Sequence, residues 1–147
     1  MKKELIAFIN AEHNKKLNEC NLPFLEAGYA NGYVAIPPGH PCYRKRYTDE
    51  IVENVHVHGG ITFSEPACYE DESFMSKRKI NPEYIGTRSY LFEDAEYITD
   101  NKDVPDDWWI LGFDTCHYQD NLQRWTRENV ITETENLKKQ LEKLWQD

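Results

Sequence analysis

From Glu4 to Cys20, apolar or half-apolar residues recur at Leu5, Ile9, His13, Leu17 and Cys20, with Ile6 and Phe8 widening the stripe. This is the 3.6-residue period of an amphipathic helix, and it predicts one at the amino terminus with His13 at the edge of the core. Asn31-Gly32 signals a turn and Tyr33-Val34-Ala35-Ile36 reads as a short strand, which Pro37-Pro38-Gly39 ends because proline cannot donate to a ladder. Over residues 53–64 the pattern alternates. Val55, Val57, Gly59, Ile61 and Phe63 make an apolar face, and Asn54, His56, His58, Gly60, Thr62 and Ser64 a polar one. Two structures fit it: one half-buried strand, or a hairpin of residues 55–58 against 61–64 turning on Gly59-Gly60. Arg88-Ser89-Tyr90-Leu91-Phe92 is a further strand candidate. The run Trp108-Trp109-Ile110-Leu111-Gly112-Phe113 predicts a central strand buried on both faces. From Thr126 the chain turns helical, with Val130, Thr134, Leu137, Leu141 and Leu144 on one face. Thr132-x-x-Glu135 is a capping box if the helix starts there. The sum is an α+β fold: a single domain over residues 1–147 with a small, mainly antiparallel sheet and an N-terminal and a C-terminal helix packed on it.

Composition narrows the function classes. A chain of 147 residues with 39% hydrophobic and 13% aromatic content has the material for one core. Its 26 acidic against 17 basic side chains leave a net charge of −9, which disfavours general nucleic-acid binding by counterion release. The excess is local: seven acids and one lysine fall within residues 93–107, an expected exposed loop or edge. No apolar run approaches the roughly 20 residues of a membrane span, and Asn10 interrupts the apolar start without a signal-peptide cleavage pattern, so a cytoplasmic protein is expected. Cys20, Cys42, Cys68 and Cys116 contain no C-x-x-C pair, which excludes a zinc-ribbon spacing and predicts reduced thiols.

Two clusters carry candidate chemistry, each at the end of an expected strand. One is His56-Val57-His58-Gly59-Gly60-x-Thr62, and the other is Asp114-x-x-His117-x-x-Asp120. If their strands are neighbours, His56 and His58 on one face meet Asp114 and His117. His58, Asp114 and His117 then offer the donor set of a zinc or manganese site. The metal-free reading builds a pocket from the same residues. Gly59 and Gly60 admit a ligand to the backbone, Thr62 and His58 supply directional hydrogen bonds, and Trp108 or Trp109 stacks on a flat ring. Arg44, Arg46, Arg78 or Arg88 is then the candidate fork for a phosphate. Cys116 and His117 are adjacent and point apart on an extended chain, so they are not a nucleophilic dyad.

The ordered set Asn31-Gly32-Tyr33-Val34, Ile36-Pro37, Gly39-His40-Pro41, Tyr47, Val57-His58-Gly59-Gly60-Ile61-Thr62-Phe63, Trp108-Trp109, Gly112-Phe113-Asp114 and His117 resembles a family of small phage and prophage proteins. The resemblance spans the chain apart from the first helix and residues 67–106. It implies His40, His58, Gly59, Gly60, Thr62, Trp108, Trp109, Asp114, His117 and Asp120 as shared positions. The chain departs from the pattern at His56, where an acidic residue is usual. The family brings no established activity, and the resemblance implies a phage setting in the host cytoplasm.

Three functions follow as expectations. The first is a phage-type small-ligand-binding protein, a counter-defence protein that binds a nucleotide-derived molecule through His58, Gly59, Gly60, Thr62, Trp108, Asp114 and His117. The second is a metal-dependent hydrolase with zinc or manganese on His58, Asp114 and His117 and Asp120 as base. The third is an acidic module that binds a host protein. The leucine seam of the last helix is either internal packing or a homodimer contact.

Overall fold

A computed structural model of the chain describes residues 4–70 and 81–145. Its strands are β1 (Ile6–Asn10), β2 (Asn31–Ile36), β3 (Phe63–Pro66), β4 (Glu96–Tyr97) and β5 (Trp109–Phe113). They pair antiparallel in the order β3-β5-β2-β1-β4. The helices are α1 (Glu12–Glu19), the single turn α2 (Glu50–Glu53) and α3 (Arg127–Leu144). The α+β class with a helix towards each end of the chain is therefore the observed one.

The sheet is covered on both faces, which explains why its central strands are apolar throughout. On one face Leu5, Ala7, Ile9, Val34, Ile36, Trp109, Leu111 and Phe113 pack with Val130, Leu137 and Leu141 of α3. On the other, Ile6, Phe8, Tyr33, Ala35, Trp108 and Ile110 pack under Ala67, Leu91 and Val104. Every residue of β1, β2 and β5 is buried. Helix α3 lies close on β2 because Gly32 has no side chain: a Cβ there would stand 2.1 Å from Thr134 Oγ1.

Three expected elements change. The predicted amino-terminal helix divides into β1 and α1. Leu5 to Ile9 form a run buried on both faces, and such a run looks the same to a helical or a strand period. His13 is exposed, and Asn14 is the buried residue of α1. Neither structure expected for residues 53–64 forms. Gly59 and Gly60 both have positive φ, which no strand tolerates in succession. The carbonyl of His56 accepts from Asn136 and Gln140 of α3 instead of a ladder. Only Phe63 onward pairs, as the edge strand β3, where Pro66 is permitted. Finally, Tyr90–Phe92 is a single 3-10 turn capped by Ser89 and not a strand.

Nor is Asn31-Gly32 a turn: both residues belong to β2, Asn31 opposite Asn10 and Gly32 opposite Ile9 and Phe113, and no helix starts at Thr132. The remaining expectations for the last helix and the acidic segment hold. Helix α3 begins at Arg127, five residues before Thr132, capped by the Thr126 hydroxyl accepting from the Asn129 amide. Leu137 and Leu141 of its seam are internal packing, whereas Leu144 is 39% exposed. The acidic segment supplies the edge strand β4, and Glu96 is tied to α3 by Arg127. The basic triplet Lys77-Arg78-Lys79 lies outside the described residues.

Candidate functional site

Antiparallel pairing brings the ends of β1 and β5 and the starts of β2 and β3 to one end of the sheet. Asn10 lies opposite Asn31, Gly32 opposite Phe113, and Phe63 opposite Gly112. The two sequence clusters therefore meet there. The loop after β5 is shaped by its own carboxylates: Asp114 Oδ1 accepts from the Cys116 amide at 3.0 Å, and Asp120 Oδ2 from the His117 amide at 2.9 Å. The Asp120 amide donates back to the His117 carbonyl at 2.9 Å. These local bonds stand in for a ladder where the strand ends.

Opposite lies the loop of residues 57–62. The Gly60 amide closes a turn on the Val57 carbonyl, and the His58 amide donates to Glu133 of α3 at 2.8 Å. His58 is thus aimed inward. Its Nε2 stands 2.9 and 3.0 Å from the two oxygens of Asp120, whose side chain is 5% exposed, and its ring packs on Trp125 with centroids 4.3 Å apart. The Thr62 hydroxyl donates to Asp114 Oδ2 at 2.9 Å. His117 lies between the two carboxylates, its ring 5.3 Å from that of His58 and at 82° to it. Its Nε2 comes within 3.2 Å of Asp114 Oδ1, yet the alignment makes no hydrogen bond, and the atom is buried without a partner. Gly59 makes this closeness possible, because a Cβ there would lie 2.1 Å from His117 Nε2.

Among the described residues, His58, His117 and Asp120 form a group that could hold a metal ion, each offering a donor atom within 4.8 Å of the others. The carboxylate closing on His58 is thus Asp120, and Asp114 instead holds Thr62 and flanks His117. His56 takes no part: it is exposed, and its backbone is held by Gln140 and Asn136. Gly60 has open space at its Cβ position. Trp108 is placed elsewhere, 3% exposed in the second core cluster, and the ring against His58 belongs to Trp125. His40 is buried too. Its Nδ1 accepts from the Cys42 amide, so its Nε2–H donates to the Leu141 carbonyl at 2.8 Å, satisfying an orphan acceptor near the end of α3.

Beside the cluster opens a cavity of about 720 Å³ at the sheet end, reached by His117, Asp114 and Thr62 and walled by Tyr33, Phe63 and Tyr90. Glu12, Glu93, Asp94 and Asp114 face it against the single lysine Lys16. None of Arg44, Arg46 and Arg88 lines it. Arg44 pairs with Glu70 over the Trp109 ring, and Arg88 with Asp106 over Phe92.

A buried amide network fixes the back of this cavity. The Asn14 amide nitrogen lies 3.0–3.1 Å from three acceptors, the Gly28 carbonyl, Asn31 Oδ1 and Thr115 Oγ1. Asn31 Oδ1 also accepts from the Thr115 amide, and Cys116 Sγ donates to Asn14 Oδ1. Sequence reading missed Asn14, Thr115 and Trp125, whose roles depend on contacts across 14 to 102 positions of chain. The one available signal was a polar Asn on the side of α1 that the apolar stripe should have filled.

Burial pushes the Cys116 thiol up to about 11, the nearby Asp114 and Asp120 carboxylates adding to it, and burial does the same to Cys42. Tyr33 is held far above its ordinary value, mainly by burial and then by Tyr90. Above the ordinary thiol value, Cys42 and Cys116 stay protonated in the fold while the unfolded chain ionises. Their contribution to stability is therefore complete below an ordinary thiol value of 9.0 and fades as the pH rises towards about 11. The melting temperature is expected to fall between those pH values. At pH 8 a disulfide reagent should titrate exposed Cys20 first, reach half-buried Cys116 slowly because its thiol is held protonated, and reach buried Cys42 only on unfolding. Rapid modification of Cys116 in the native protein would contradict this.

No helix among the described residues is long and apolar enough to cross a membrane. Comparison with protein-family models, curated proteins and solved structures finds no match to the chain.

Proposed function

We propose that the protein binds a small, nucleotide-derived molecule in the sheet-end cavity. The observation that carries this reading is the convergence of His117, Asp114 and Thr62 on a space of about 720 Å³ that also has aromatic walls. That volume lies in the range of small-molecule sites, and the mixture suits a flat polar ring carrying hydroxyl groups. Tyr33 and Phe63 meet edge to face, and Tyr90 is 58% exposed, which leaves ring surface for stacking. The charge pattern refines the ligand class. With four carboxylates, one lysine and no arginine among the described residues of the wall, recognition runs through base and sugar, and a phosphate needs a cation brought to it. In a phage setting such binding would withdraw a nucleotide signal from the host, a counter-defence role in the host cytoplasm.

Thermal unfolding against adenosine, cyclic nucleotides and adenosine-diphosphate-ribose tests the proposal. Ligand at about a hundred times its Kd adds about 2.7 kcal/mol, which amounts to several degrees in Tm. Asp114→Asn and Thr62→Val should reduce the shift, since they break the bond that fixes this wall. A flat response to every compound, with no small molecule carried through purification, overturns the reading.

A further inference from the structure

We propose that His58, His117 and Asp120 bind one divalent first-row transition-metal ion, zinc or manganese, at the side of the cavity. Two imidazoles and one carboxylate are the donor types such ions share, and they come from two loops, each held by its own backbone bonds. The Glu133 bond seats His58, and the turn between His117 and Asp120 seats the other two. Their donor atoms lie within 4.8 Å of one another, so little movement gathers them around an ion.

The closest pair needs only a small opening. His58 Nε2 and Asp120 Oδ1 are 2.9 Å apart, and a tetrahedral ion about 2.0–2.1 Å from each would hold them about 3.3 Å apart. His117 Nε2 is buried without a hydrogen bond and is the nitrogen left to take an ion, which would also relieve its 3.2 Å approach to Asp114 Oδ1. Asp114 is itself held by the Thr62 hydroxyl just before β3. An ion here adds positive charge to a cavity wall that carries four carboxylates against one lysine among the described residues, in position to meet an anionic oxygen of a ligand or a water. The set differs from the one expected from sequence by the exchange of Asp114 for Asp120.

The metal alone is the probe, so the result does not depend on the ligand proposal. Chelator-stripped full-length protein is titrated calorimetrically with zinc chloride and manganese chloride, and the dialysed complex is analysed for metal. One ion per chain is expected. His58→Gln and Asp120→Asn should each weaken binding by at least about tenfold, and His56→Gln and His13→Gln should leave it at the wild-type value. A second measurement needs no variant: on adding manganese to the wild-type chain, the imidazole resonances of His58 and His117 should broaden before those of His13, His40 and His56. Absence of binding, equal loss in the His56 variant, or broadening that begins at another histidine overturns the proposal.

Discussion

Replacing Gly59 by alanine is expected to abolish binding at the sheet end and to lower stability by about 1–3 kcal/mol. Two effects combine. The residue has a φ of +70°, a conformation an L side chain adopts only at a cost, and the new methyl carbon would lie 2.1 Å from His117 Nε2. The imidazole ring must move, and with it the relation of His117 to Asp114 and His58. Gly60→Ala is the matched control. It shares the positive φ, at +78°, but its Cβ would meet nothing within 4 Å, so it should lose about 1 kcal/mol and keep its binding. Urea unfolding and ligand-induced or metal-induced shifts in Tm read both quantities. Should the two variants behave alike, the close approach of His117 to Gly59 is not what shapes the site.

Asn14→Ala should be the most destabilising single change at a polar position of α1, at about 2–4 kcal/mol. The side chain is fully buried and bonds to the Gly28 carbonyl, Asn31, Thr115 and Cys116. Its removal leaves part of that network without partners in a place closed to water, where an unmade bond costs more than a made one contributes. Asn18→Ala on the same helix breaks a reciprocal pair with Ala27 that is only half-buried, so water can replace it and about 1 kcal/mol is expected. Urea unfolding of the two variants gives the comparison, and an Asn14 loss no greater than that of Asn18 would refute the network's role.

Legibility followed the kind of constraint acting on each segment. Helix α3 was readable because one face meets the sheet and the other meets water, so burial imprints a 3.6-residue period on Val130, Thr134, Leu137 and Leu141. β2 and β5 were readable because short apolar runs end at proline or acid. β1 was not, since a run buried on both faces carries no period to distinguish it from the start of a helix. The alternation over residues 53–64 misled for a different reason. Val55 and Ile61 are buried, as a strand would have them, but the backbone between takes its bonds from α3 and turns on two glycines of positive φ.

The sequence by itself determined the α+β class, the two chemistry-bearing segments and the membership of His58, Asp114, His117 and Asp120 in them. These depend on residue type and local period, which need no knowledge of distant chain. Only the tertiary structure decided that Asp120 closes on His58, that Asp114 holds Thr62 and flanks His117, that Trp125 takes the place expected of Trp108, and that Arg44, Arg46 and Arg88 lie away from the cavity. Apart from Asp114 and His117, three positions apart, those pairings join residues 52 to 67 positions apart, and they follow from strand order and from which loop end each backbone bond secures. A 2-residue or 3.6-residue period specifies which face a side chain takes, and the packing of the sheet against α3 specifies what it finds there.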